Sequence, residues 1–63
     1  MEGIWVWCVL CERAFKVKAL NFKAVCGYED CDGRRSDLWK WEAFRQLHPD
    51  YPEIPVEGVV YPV

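Results

Sequence analysis

At 63 residues the chain is one domain at most, and 52% apolar with 16% aromatic residues marks it as folded rather than disordered. Its net charge of −2, from eight Lys and Arg against ten Asp and Glu, lacks the basic signature of a whole-domain nucleic-acid binder. A domain this small hides only about 60% of its unfolded surface, so the composition calls for a staple: disulfides, a metal or a partner chain.

No apolar run approaches the ~20 residues of a membrane helix. The start, MEGIWVWCVL, lacks a basic segment and a small-residue cleavage site. A soluble cytoplasmic protein with reduced thiols is expected, and no membrane partner.

In chain order, residues 4–8, IWVWC, are β-branched and aromatic and predict a strand. Their continuous apolarity predicts cover on both faces. In ERAFKVK, Phe15 and Val17 alternate with Lys16 and Lys18, a second strand. ALN at 19–21 reads as a turn and FKAV at 22–25 as a returning strand.

Gly33 ends the loop that carries Cys26 and Cys31, and Ser36 or Asp37 suits a helix N-cap. A helix over about 37–48 should follow, stopped by Pro49, with Arg45 and His48 in its last turn. On that helix Trp39, Ala43, Leu47, Phe44 and Trp41 span an arc of about 200°, with Lys40 inside it and Leu38 stranded on the polar side. One small sheet cannot cover both tryptophans, so the tail or a protein partner should meet one flank. Trp39 and Trp41 are the candidate partner surface.

The tail, residues 49–63, places Pro49, Pro52 and Pro55 at every third position, as along a polyproline II helix. It reads either as a docking peptide for an aromatic groove or as a strap over Trp39 or Trp41. The strap, with Ile54, Val56, Val59, Val60 and Tyr61 tucked in, suits the apolar content better.

The cysteines carry the chemistry. Cys8 and Cys11 are separated by two residues, Cys26 and Cys31 by four, and fourteen residues lie between the pairs. Structural zinc sites use pairs spaced by two to four residues, because a short loop turns two thiolates toward one ion while backbone N–H groups donate to the sulfurs. Disulfides would suit an exported chain, and a redox C-x-x-C would need a βαβ context. The same four donors also hold iron in rubredoxin-like proteins. Four thiolates around a divalent ion add two negative charges.

Through CVLC and CGYEDC, residues 8–31 resemble the zinc-ribbon proteins. The resemblance implies two cysteine loops at hairpin tips clamping one zinc, with Cys8, Cys11, Cys26 and Cys31 as ligands. The chain departs from the family pattern where Glu12 follows Cys11 and Asp32 follows Cys31, and its second loop is two residues longer.

No catalytic constellation is visible. The chain has one Ser, Ser36, one His, His48, and no Thr, and four cysteines would close a metal's shell. Nor is a small-molecule substrate expected. Glu29, Asp30 and Asp32 should point away from the thiolates, with Arg34 and Arg35 compensating the site or facing solvent.

Nucleic-acid binding is the sharpest alternative to a protein partner. Arg13, Lys16, Lys18 and Lys23, interleaved with Phe15 and Phe22, could track phosphates and stack on a base. A solvated lysine face is the plainer interpretation.

The expected fold is thus a small α+β domain over residues 1–63: a metal-binding ribbon at 4–35, a helix at about 37–48 and an extended tail. The expected role is a non-catalytic zinc-binding interaction module, with a rubredoxin-like iron carrier or a nucleic-acid-binding ribbon as alternatives.

Overall fold

In the computed structural model, which describes residues 3–63, the apolar run becomes the central strand β1, Ile4–Cys8. Strands β2 (Ala14–Val17) and β3 (Leu38–Lys40) flank it, both antiparallel, in the order β2-β1-β3. The central position explains the apolarity, because each face of β1 meets its own core. Val6 and Cys8 join Phe15, Cys26 and Leu38 on one side. Trp7 joins Ala14, Trp41, Phe44 and Tyr61 on the other. Val6 stands opposite Phe15, and Trp7 opposite the small Ala14. The first cluster contains cysteines; the second seats the helix and the tail.

The single helix among the described residues, α1, is Trp41–Leu47, shorter than the expected 37–48. Arg35–Asp37 form a 3-10 turn, and Leu38, Trp39 and Lys40 are strand. The strand explains Leu38, which the helical wheel left on a polar side: opposite Cys8, it is 3% exposed. Asp37 does not cap α1. Its carboxylate accepts the Arg34 N–H at 3.0 Å and closes the 3-10 turn. Lys40 is the N-cap and makes no side-chain cap bond. At the far end the His48 N–H still reaches the Phe44 carbonyl at 3.0 Å before Pro49 ends the helix.

The returning strand expected at 22–25 does not form. Asn21 starts a turn there, and of those residues Val25 alone makes a bridge, to Arg34. The tail occupies the outer edge of β2 instead. The Gly58 N–H donates to the Ala14 carbonyl at 3.1 Å, and Val60 bridges Arg13. The outer edge of β3 is also closed, by its own chain. Leu38 gives its N–H to the Arg35 carbonyl and takes the Arg35 guanidinium on its carbonyl at 3.3 Å, which blocks further strand pairing.

The tail lies over Trp41 and Trp7 as a strap. The Trp41 indole N–H donates to the Pro52 carbonyl and the Trp7 indole N–H to the Tyr61 carbonyl, both at 3.0 Å. The Tyr51 hydroxyl donates to the Pro62 carbonyl. Trp7 stacks on Phe44 at 4.2 Å, and Tyr51 stacks on the same Phe44 at 5.6 Å. The strap tucks in Pro55 and Tyr61, whereas Ile54, Val56, Val59 and Val60 stay exposed. Among the described residues no helix is long and apolar enough to cross a membrane.

Candidate metal centre

Two backbone turns set the four sulfurs. Cys8 ends β1, and its N–H donates to the Arg13 carbonyl at 3.2 Å, so residues 9–12 form the tip of the β1–β2 hairpin. Glu12 takes φ 59°, a left-handed conformation, and its N–H donates to the Cys8 carbonyl at 2.7 Å. That reversal carries the chain out of the cysteine loop and into β2. The second loop is closed by the Val25–Arg34 bridge, by the Cys26 N–H on the Gly33 carbonyl at 3.0 Å, and by the Cys31 N–H on the Tyr28 carbonyl at 3.1 Å.

These loops bring Cys8, Cys11, Cys26 and Cys31 into one group, all sulfurs within 4.8 Å of one another. The sulfurs of Cys8 and Cys31 are 3.6 Å apart and those of Cys11 and Cys26 3.7 Å apart. All four are free thiols, two buried and two half-buried. A tetrahedron with ~2.3 Å metal–sulfur bonds has edges of roughly 3.8 Å. The group has the size of a four-thiolate metal centre.

Local electrostatics prepare the sulfurs unequally. Burial pushes the Cys8 thiol pKa up, opposed by the backbone N–H groups of Cys11 and Leu10. Burial pushes Cys26 up further, opposed by the Tyr28 N–H. At Cys11 burial also raises the pKa, but hydrogen bonds from the Arg13 backbone and side chain, with those of Cys26 and Cys31, outweigh it and leave the thiol below its ordinary value. A dication at the centre favours the thiolate at every position.

Arg13 also ties the loops together. Its guanidinium lies 2.7 Å from the Asp30 carboxylate and 4.1 Å over the Tyr28 ring, both on the second loop. The Asp30 bond, then that to Cys11, raises the arginine's pKa, and Arg13 in turn lowers that of Asp30. Arg13 thus offsets negative charge at the site, while Arg34, expected either to do so or to face solvent, is exposed. The Arg34 backbone N–H is engaged with Asp37, and the Arg35 guanidinium with the Leu38 carbonyl.

Gly33, expected only to end the second cysteine loop, also sets how closely the two loops approach. A Cβ there would lie 2.8 Å from the Cys8 sulfur and 3.1 Å from the Cys26 Cβ. Only a residue without a side chain lets the second loop close on the first. A glycine directly after a cysteine loop was the available signal.

The other singled-out residues lie apart from this centre. Trp39 is 42% exposed on β3, whereas Trp41 is 3% exposed and belongs to the aromatic core. Lys16, Lys18 and Lys23 are exposed, the Lys16 ammonium 5.2 Å from the Trp5 ring and that of Lys23 5.7 Å from Phe22. Phe15, expected to interleave with them, is buried. His48 packs against the rings of Phe44 and Tyr51, and Ser36 is exposed in the 3-10 turn. A cavity of about 340 Å3 at the start of β1, lined by Trp5, Lys40, Trp41, Glu42 and Glu53 among others, holds no Cys, His or Ser.

Comparison of the chain with family models, with curated proteins and with solved structures found no match.

Proposed function

We propose that this protein is a zinc-binding module of the zinc-ribbon type, with a structural centre, that works without catalysis by engaging another protein. The observation that carries this reading is the convergence of four free thiols from two loops on one point. Four cysteines complete a tetrahedral shell and leave no open position for a substrate or an activated water. Such a centre acts through the fold it holds. Binding free energies of about 10–16 kcal/mol for structural zinc match or exceed a small domain's net stability of about 5–15 kcal/mol.

The partner surface on this reading is centred on Trp39. Large aromatic side chains left partly in water are common anchors of protein interfaces. Arg35 closes the edge of β3 to strand addition, so side-chain packing rather than strand pairing is the mode of contact. A cytoplasmic setting fits four thiols kept reduced for metal.

Elemental analysis of protein purified from its native host tests the centre. One zinc per chain in colourless protein, with loss of folded signal on chelation, is the expected result. One iron per chain, a red colour and reversible one-electron chemistry would replace the proposal with an electron carrier. Trp39→Ala tests the surface: a partner retained by the parent should be lost by the variant at unchanged metal content and thermal midpoint. Equal retention would remove Trp39 from the interface.

A further inference from the structure

The chain's positive charge is concentrated between its two cysteine loops. Residues 14–28 contain Lys16, Lys18 and Lys23 and no acid before Glu29, while the chain as a whole is net acidic. Within this stretch Asn21 builds an ordered turn. Its side-chain oxygen accepts the Lys23 N–H at 2.9 Å, and its carbonyl accepts the Ala24 N–H at 3.0 Å. Leu20 and Ala24, on the two shoulders, pack against the cysteine-side core. At the tip Phe22 is 82% exposed. Val25 follows, also exposed and opposite the exposed Arg34. A lone surface phenylalanine is ordinary. One held outward by a pinned turn, inside the longest acid-free stretch of the chain, is a specific arrangement.

We propose that this turn docks the protein on an anionic lipid surface, with Phe22 entering the acyl boundary and Lys16, Lys18 and Lys23 meeting the headgroups. Peripheral attachment needs two signals, apolar insertion and charge, and the turn supplies both. The Lys23 stem lets its ammonium stay at headgroup level while the neighbouring ring goes deeper. A single nucleic-acid strand fits the turn less well, because such sites present successive rings for stacking. Here Phe15 is buried, and the Trp5 ring has the Lys16 ammonium beside it. The nearest acids in sequence are Glu12, whose carboxylate accepts the Val63 N–H, and Glu29, Asp30 and Asp32 of the second cysteine loop, where Asp30 is paired with Arg13. The docking surface does not use Trp39, which stands on the strand at the other edge of the sheet, so it goes beyond the protein-partner reading.

The test is co-sedimentation of metal-loaded protein with sucrose-loaded vesicles, of phosphatidylcholine alone or with about a third phosphatidylserine. The expected result is binding to the anionic vesicles only, weakened by salt. Phe22→Ala should lower the partition coefficient about tenfold or more, and Lys16→Gln, Lys18→Gln and Lys23→Gln together should abolish binding. Unchanged metal content and thermal midpoint in Phe22→Ala will show that the fold is intact. The proposal is overturned if the parent fails to bind anionic vesicles, or if Phe22→Ala binds them as well as the parent does. Phe22-dependent binding of a thymidine oligonucleotide in the absence of vesicle binding would also overturn it, and would assign the turn to a nucleic acid.

Discussion

Gly33 and Glu12 show how closely the cysteine loops are tied to backbone conformation. Replacing Gly33 by Ala puts a methyl group 2.8 Å from the Cys8 sulfur, inside van der Waals contact. Either the sulfur or the second loop must move. Zinc affinity should fall about ten- to a hundredfold, the range seen when groups that orient metal ligands are altered. Competition against a chelating indicator measures it, and parental affinity in Gly33→Ala would show that the loops close differently. Glu12 is the opposite case, a side chain where the backbone favours none. Its φ of 59° is left-handed, a conformation that costs an L-residue roughly 1–2 kcal/mol. Its carboxylate gains little in return, one exposed contact with the Val63 N–H at 3.4 Å. Glu12→Gly should therefore stabilise the metal-loaded protein by about 1 kcal/mol, read as an upward shift of the denaturation midpoint.

Among the elements, β1 and β2 were legible because their signals are local. IWVWC is β-branched and aromatic throughout, and AFKV alternates. The C-x2-C and C-x4-C loops were legible for the same reason, since their spacing lies within one turn of chain. The helix begins later than its pattern suggests because Leu38, Trp39 and Lys40 have no strong preference of their own. Their conformation is decided by β1, thirty or more positions earlier, which offers Leu38 a place opposite Cys8. The strand expected at 22–25 failed for a related reason, its place beside β2 being held by the C-terminal tail. Leu38→Ala separates the two pictures of this segment. On the polar side of a helix the change would cost little. In the buried strand it should cost about 2–5 kcal/mol, measured by denaturation of the metal-loaded protein.

Across the whole molecule, two cores share one thin sheet and are joined through the tail. The Tyr61 N–H donates to the Glu12 carbonyl at 2.7 Å, and the Gly58 N–H to Ala14, so the strap over the aromatic core grips the hairpin that carries Cys8 and Cys11. The Arg13–Asp30 pair adds a link between the cysteine loops. None of these contacts shows in the sequence, since each joins positions far apart whose partners no local pattern selects. Coupling of this kind is reciprocal. Removing residues 57–63 should lower zinc affinity as well as thermal stability, although no cysteine is touched. Isothermal titration of the shortened chain checks this, and undiminished affinity would mean that the two cores are independent.

Neighbouring residues of β1 serve different cores: Cys8 faces the sulfurs, while Trp7 is shielded from water, stacked on Phe44 and bonded through its indole to the tail. The molecule consequently contains its own optical gauge. Of the four tryptophans Trp7 and Trp41 are buried, so when loss of the ion unfolds the domain the summed indole emission should shift to the red, and metal removal can be followed by intrinsic fluorescence with no dye attached.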